Sequence, residues 1–325
     1  MSAQSPSPKR RGRLLRFGAA FVVLLAVAGY LVVQYVTGAG GSGCRVVSSD
    51  GDGTAYEFTP EQAVNAATIT AVGTARGLPE RAVTIALATA MQESALRNIE
   101  HGDRDSLGLF QQRPSQGWGT EQEIMDPTYS AGMFYEHLEK VRGYEDLPLT
   151  VAAQEVQRSG FPTAYAKHEP DALLLANAFT GRSAATLTCA GLPEATQTQG
   201  AQAQAVGPDA VRSALVRDFG QLQQTGAEVS AGAQSSPSPS PTGVTAETSG
   251  RTVTVPVSRE TNAADGSSVE ERGWQLAHWA VANASDLRIE RVSYAGREWN
   301  AGTRDDPWVD SADTSRDAVR IVTGR

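Results

Sequence analysis

The sequence predicts a mainly helical domain, a small C-terminal α/β domain and an N-terminal transmembrane helix. Three observations support this fold class: an uncharged apolar run at residues 17–36, repeated helix-capping signals between residues 59 and 181, and strand-forming runs after residue 250. Three capping boxes, in which a Gln or Glu follows three residues later, begin at Thr59, Thr120 and Ser268. A chain of 325 residues is long enough for one or two ordinary domains joined by linkers.

The apolar run Phe17–Val36 predicts a single membrane anchor within segment 17–37. Its 20 uncharged residues would form a helix about 30 Å long, which matches one bilayer core. Five basic residues and no acidic residue precede it in segment 1–16, so we expect a cytoplasmic N-terminus and an extracytoplasmic remainder. The alternative is secretion after cleavage of a signal peptide, since Ala26–Ala28 reads A-V-A.

The charge distribution argues against a nucleic-acid partner. The net charge is −8, but beyond residue 16 the chain has 23 basic and 36 acidic side chains, so it lacks the cationic surface that drives counterion release. Two cysteines exclude a Cys-rich zinc module, and the four histidines show no paired ligand spacing. We therefore expect no metal centre and no cofactor.

The two cysteines, Cys44 and Cys189, bracket a dense stretch that we place outside the membrane. In that oxidising location a disulfide is favoured over two buried thiols. Closing a loop of this length would stabilise the fold by about 4–5 kcal/mol on the chain-entropy model.

Composition divides the rest of the chain into segments. After a Gly-rich spacer at 38–43, residues 44–189 predict the helical domain; residues 190–249 predict a flexible linker with one amphipathic helix and a Ser/Pro spacer. Residues 250–325 predict the small α/β domain, with strands at Thr252–Val255, Leu287–Tyr294 and Ala318–Thr323. Four of the five tryptophans lie in this last segment, where core packing is a commoner use than sugar binding.

Glu93 is the first candidate catalytic residue, near the end of a helix that the pattern predicts from Pro79 to about Arg97. The residues three, four and seven positions before it are Ala90, Thr89 and Ala86, so its carboxylate is predicted on the buried side of an amphipathic helix. Burial raises the pKa of a carboxyl group, as a general acid requires near neutral pH. The alternative is a glutamate at a helix end that caps a neighbouring loop.

Residues after Glu93 carry a family resemblance. Glu93-Ser94, a polar loop, and then S-L-G-L-F-Q at residues 106–111 with Pro114 resemble the lytic transglycosylase signature of the lysozyme-like superfamily, with Phe110 replacing the usual methionine. The stretch 102–120 looks closer still to a group of anchored or exported actinobacterial proteins with a lysozyme-like core.

The resemblance implies a lysozyme-like fold for residues 44–189, with Glu93 as general acid and then base. It implies that Ser94 and Gln111 position this carboxylate or the sugar, and that Tyr165 corresponds to a late cleft tyrosine. The usual Y-N-A-G-P element is replaced by Q-R-S-G-F-P at residues 157–162, so the resemblance does not predict which residues form the far wall of the cleft.

A second carboxylate would distinguish two reaction types. Asp103 and Asp105 precede Gly108 on the loop after Glu93; one of them facing the cleft would indicate an inverting muramidase. The alternative, pairing with nearby arginines, leaves Glu93 alone, as a transglycosylase requires. Trp118 is a candidate for stacking on a sugar, or an anchor of its loop to the core.

Together these patterns predict a membrane-anchored, extracytoplasmic enzyme that cleaves the MurNAc–GlcNAc β-1,4 bond of peptidoglycan glycan strands. A muramidase, a non-catalytic peptidoglycan-binding or scaffold protein, and an envelope assembly factor that acts through its C-terminal domain remain the alternatives. The expected partners are glycan strands and, through the anchor, the membrane.

Overall fold

The computed structural model describes residues 43–189, 206–220, 246–257, 267–303 and 308–324. These residues belong to one compact unit. The predicted cytoplasmic segment, the membrane anchor, nearly all of the Gly-rich spacer and the Ser/Pro spacer lie outside the described residues. Within the described ranges, no helix has both the length and the apolar character needed to cross a bilayer.

The described chain is a mixed α+β fold in which a mainly helical part precedes a sheet. The helices are α1 (Pro60–Ala75), α2 (Glu80–Ser94), α3 (Glu121–Ile124), α4 (Pro127–Glu139), α5 (Leu149–Gln157), α6 (Glu169–Phe179), α7 (Pro208–Phe219), α8 (Val269–Ala282) and α9 (Ala284–Leu287). The strands are β1 (Cys44–Val47), β2 (Ala55–Phe58), β3 (Leu187–Cys189), β4 (Glu247–Ser249), β5 (Thr252–Pro256), β6 (Ile289–Tyr294), β7 (Arg297–Asn300), β8 (Trp308–Asp310) and β9 (Ala318–Thr323).

A three-stranded antiparallel sheet joins the two ends of the helical part. Strand β1 lies between β2 and β3, and its register places Cys44 opposite Cys189. The predicted disulfide between these two cysteines is confirmed. The helical part is thereby closed at its ends by a covalent bond as well as by strand pairing.

Helix α2 is the buried centre of the helical part. Its residues from Ala82 to Met91 are all buried, because small and aliphatic side chains occupy every face, and a helix that is apolar all round lies inside a protein. Helices α1, α5 and α6 pack around it. Its buried course brings the carboxyl end, which carries Glu93, to the edge of this core.

The sheet part is antiparallel throughout, with strand order β4-β5-β9-β6-β7-β8. Helix α8 begins at the predicted capping box of Ser268 and Glu271, and it packs against β6 and β9. The antiparallel pairing makes this part α+β. The predicted strands correspond to β5, β6 and β9, whereas β4, β7 and β8 are too short to stand out in the sequence.

Polar contacts attach the sheet part to the helical part. The indole N–H of Trp308 donates to the carbonyl of Leu187 at 2.8 Å, and Gln275 Nε2 donates to Thr74 Oγ1 at 2.7 Å.

All four tryptophans of this part, Trp274, Trp279, Trp299 and Trp308, are buried. The core interpretation of the tryptophans is confirmed, and the segments predicted as separate domains pack against each other.

Helix α7 lies within the predicted linker. Its apolar residues Val211, Leu215 and Phe219 are buried, so the amphipathic stretch is docked on the rest of the fold. It packs against α1 and β5. The linker helix therefore packs between the helical part and the sheet part.

Burial of His278 predicts a pH-dependent stability. The ring is fully buried on α8, and its Nδ1–H donates to the carbonyl of Ala178 at 2.7 Å. Burial lowers the pKa of His278 to about 4, against the hydrogen bond, which raises it. The unfolded chain therefore binds this proton more readily than the folded chain between about pH 6.5 and pH 4.

We expect the free energy of unfolding to fall by about 2 kcal/mol between pH 7 and pH 5 through this group alone. Urea unfolding at both pH values measures it, and His278→Gln should reduce the pH dependence by that amount. The exposed His101 supplies the control variant His101→Gln. An unchanged pH dependence in His278→Gln would contradict the assignment.

Candidate active site

Glu93 lies half-buried on the last turn of α2. The Tyr165 hydroxyl, which is itself buried, donates to Glu93 Oε1 at 2.7 Å. Burial raises the pKa of Glu93, and interactions with the side chains of Tyr165 and Gln157 oppose that rise. The result is a carboxyl group that holds its proton to higher pH than an exposed glutamate.

Helix α2 ends early because two residues after Ser94 adopt left-handed backbone conformations. Ala95 has φ 54° and Leu96 has φ 58°, and Leu96 N–H donates to the carbonyl of Ala90 at 3.1 Å, as in a Schellman-type ending. The sequence predicted an end near Arg97. The earlier end leaves Glu93 within the final turn, next to the loop that follows.

Ser94 holds that loop in place. Its hydroxyl is buried and donates to the carbonyl of Leu109 at 2.8 Å. On its other side the loop passes close to Ile124 at Gly108, which has φ +75° and where a Cβ would lie 2.7 Å from the carbonyl oxygen of Ile124. Ser94, expected to position the carboxylate or the sugar, thus positions the loop that carries Gln111.

Unusual backbone conformations are concentrated around Glu93. Among the described residues, eight non-glycine residues have positive φ, and four of them are in the segments that meet here: Ala95, Leu96, Gln111 and Arg158. Such conformations cost about 1–3 kcal/mol each and persist where the surroundings over-determine them, commonly at functional sites.

A groove of about 800 Å³ lies beside this carboxylate. Gln111, Trp118 and Gln157 line it, whereas Glu93, Ser94 and Tyr165 do not. Gln157 connects the two regions, because it lines the groove, its Nε2 donates to the carbonyl of Phe110 at 2.7 Å, and its side chain is close enough to Glu93 to lower the pKa of that carboxyl group. The carboxylate is therefore one side chain away from the groove.

Trp118 is placed for both roles that the sequence suggested, contact with a ligand and anchoring of its loop to the core. Its ring lies 4.1 Å from that of His137, centroid to centroid, and it packs against the hydrophobic core. The half-buried indole also lines the groove. Trp118 therefore anchors its loop and presents part of an aromatic surface to any groove ligand.

The two aspartates of the loop have other partners. Asp105 accepts from the backbone N–H of Ser115 at 2.9 Å and pairs with Arg113 Nε at 2.7 Å, and its contacts with these two residues hold the pKa of its carboxyl group well below the usual range. The Asp103 side chain is 95% exposed and 4.0 Å from Arg104. These contacts match the pairing alternative rather than a second acid aimed at the groove.

Gln157 is the site residue that the sequence did not predict. It lies within residues 157–162, where the sequence departs from the lytic transglycosylase signature, so the resemblance implied no role for it. Only the end of α5 packed against α2 brings it to Glu93 and Phe110.

The fold and the site define a mixed α+β protein with a half-buried, tyrosine-bonded glutamate beside an open groove. No protein-family model matches the chain, and no curated protein matches it either. In the part of the chain that the structure describes, no three His, Cys, Asp or Glu side chains are grouped so as to hold a metal ion.

Proposed function

We propose that this protein cleaves peptidoglycan glycan strands by a lytic transglycosylase-type reaction, with Glu93 as general acid and base. The observation that carries the proposal is the carboxyl group of Glu93, whose pKa is raised by burial and which accepts a hydrogen bond from Tyr165 beside the groove. The E-S and G-L-F-Q elements, which resemble the lytic transglycosylase signature of the lysozyme-like superfamily, support the same reaction.

In this reaction Glu93 first donates its proton to the glycosidic oxygen between MurNAc and GlcNAc, and the C1–O bond of MurNAc breaks. A hydroxyl of the same MurNAc then attacks C1 while the Glu93 carboxylate accepts the hydroxyl proton. The new C–O bond closes an anhydro ring, and Glu93 returns to its protonated form. No water is consumed and no second carboxylate is needed.

The contacts of Asp103 and Asp105 favour this reaction over a muramidase. A hydrolase of the usual kind needs a second carboxylate facing the scissile bond, but Asp105 is engaged by Arg113 and Ser115, and Asp103 is exposed beside Arg104. The disulfide is consistent with the proposed location outside the membrane, where oxidising conditions preserve it.

The products of sacculus digestion test the proposal. Full-length protein in detergent is incubated with purified sacculi, and the released muropeptides are identified by mass spectrometry. Anhydromuropeptides are expected. Products with reducing ends would replace the proposal with a muramidase, and binding without release would replace it with a non-catalytic peptidoglycan-binding protein.

The contact between Tyr165 and Glu93 predicts a change in the pH profile. The Tyr165 hydrogen bond lowers the pKa of Glu93, so Tyr165→Phe should raise that pKa and move the alkaline limb of the activity profile to higher pH. The initial rate of anhydromuropeptide release across pH 5–9 measures the shift. Tyr144→Phe is the control, because this buried tyrosine makes no hydrogen bond to Glu93. An alkaline limb that stays in place would contradict the role assigned to Tyr165.

A further inference from the structure

Cationic side chains dominate the charged lining of the groove. Arg113, Lys140, Arg142 and Arg158 line it together with a single carboxylate, Glu155. This contrasts with the acidic excess of the chain as a whole. A groove for a neutral sugar chain alone would gain little from such a lining, since an exposed cation contributes to binding mainly opposite an anion.

Two of these cations have ion-pair partners within the protein. Arg113 pairs with Asp105 at 2.7 Å, and Lys140 pairs with Glu136 at 2.8 Å. Arg142 and Arg158 are exposed and have no ion-pair partner among the described residues. Their guanidinium groups are therefore available to an anionic ligand in the groove.

The fold holds both arginines at defined places beside the site. Arg158 has φ 50° and follows Gln157 directly at the end of α5, where its N–H donates to the carbonyl of Gln154 at 2.8 Å. Arg142 follows α4 two residues after Lys140. Arg158 is thus adjacent in sequence to Gln157, whose side chain lowers the pKa of Glu93, and Arg142 lies on a different element that lines the same groove.

We infer that Arg142 and Arg158 bind the carboxylates of the stem peptides, so that the groove prefers peptide-bearing glycan to glycan stripped of peptide. This inference rests on the proposed function and names the form of its substrate. A strand with intact stems offers several carboxylates per disaccharide, whereas a stripped strand keeps only the lactyl carboxylate of MurNAc. Guanidinium groups match carboxylates in shape as well as in charge.

The test measures binding rather than turnover. Full-length protein with Glu93→Gln is titrated with three soluble probes: glycan strands bearing peptides, the same strands after amidase treatment, and a neutral GlcNAc oligomer. Arg142→Gln with Arg158→Gln in this background should weaken binding of the peptide-bearing strand about tenfold. It should leave the affinity for the GlcNAc oligomer within twofold. Raising the salt concentration should weaken binding of the peptide-bearing strand and leave binding of the GlcNAc oligomer unchanged.

A matched control removes the same charge elsewhere. Arg45→Gln with Arg316→Gln changes two exposed arginines outside the groove lining, and this variant should retain the preference. Equal affinity for peptide-bearing and stripped strands, or an equal loss in both double variants, would overturn the inference. Thermal unfolding of each variant verifies that it is folded.

The two proposals fail separately in this design. Absence of anhydromuropeptides from digestion by the unmodified protein contradicts the proposed reaction alone. Absence of a preference for peptide-bearing strands contradicts the stem-peptide inference alone, because the binding measurement uses a variant that needs no turnover.

Discussion

Glu93→Gln is expected to lower the rate of glycan cleavage by about 10²–10⁴-fold, the usual contribution of a positioned general acid–base. The amide has nearly the shape of the carboxyl group and can still accept the Tyr165 hydrogen bond. It cannot donate a proton to the glycosidic oxygen or accept one from the attacking hydroxyl. The loss should therefore appear in turnover rather than in folding.

Release of muropeptides from sacculi, followed by mass spectrometry, measures the effect of this variant. Glu100→Gln is the matched control: it makes the same substitution on the exposed loop that follows the helix, and it should retain cleavage within about twofold. If Glu93→Gln cleaves sacculi as fast as the unmodified protein, Glu93 is not the acid of any reaction this protein performs.

Asp218→Ala is expected to lower the free energy of unfolding by about 3 kcal/mol. The carboxylate of Asp218 is completely buried where α1, α7 and α8 meet. It pairs with Arg217 Nε at 2.7 Å, accepts the Trp279 indole N–H at 2.8 Å and accepts the Thr68 hydroxyl at 3.3 Å. Alanine leaves the buried Trp279 indole and Thr68 hydroxyl without an acceptor. These two losses outweigh the loss of the ion pair with Arg217, because the Arg217 side chain is 50% exposed and solvent weakens that pair.

Urea unfolding at pH 7 measures this loss. Asp209→Ala, on the exposed face of the same helix, should change the unfolding free energy by no more than about 0.5 kcal/mol. Equal effects of the two substitutions would mean that the Asp218 contacts do not stabilise the docking of α7.

Local signals predicted the starts of three helices correctly. Thr59, Thr120 and Ser268 each cap a helix through a reciprocal contact with the Gln or Glu three residues later. These contacts close within one turn of backbone, so they depend on neighbouring residues and not on the rest of the fold. The pairing of Cys44 with Cys189 was likewise predictable, because only two cysteines exist and their expected location is oxidising.

Long-range packing decided the remaining features. The amphipathic pattern around Asp218 predicts a helix in the linker, but nothing in that pattern indicates that the helix docks against α1 and α8. The same holds for Gln157 and Tyr165, which are more than sixty residues from Glu93 along the chain but reach its carboxylate once α5 and the turn after it pack on α2.

Sequence patterns alone predicted three helix starts and the disulfide, and they indicated Glu93 as a candidate acid. These depend on residue spacing and on chemical environment, which a linear pattern carries. The tertiary structure alone decided which side chains hold that acid, that the loop aspartates are paired, and that the sheet part and linker helix join the helical part. Those outcomes depend on contacts between distant segments, whose geometry exists only in the folded chain.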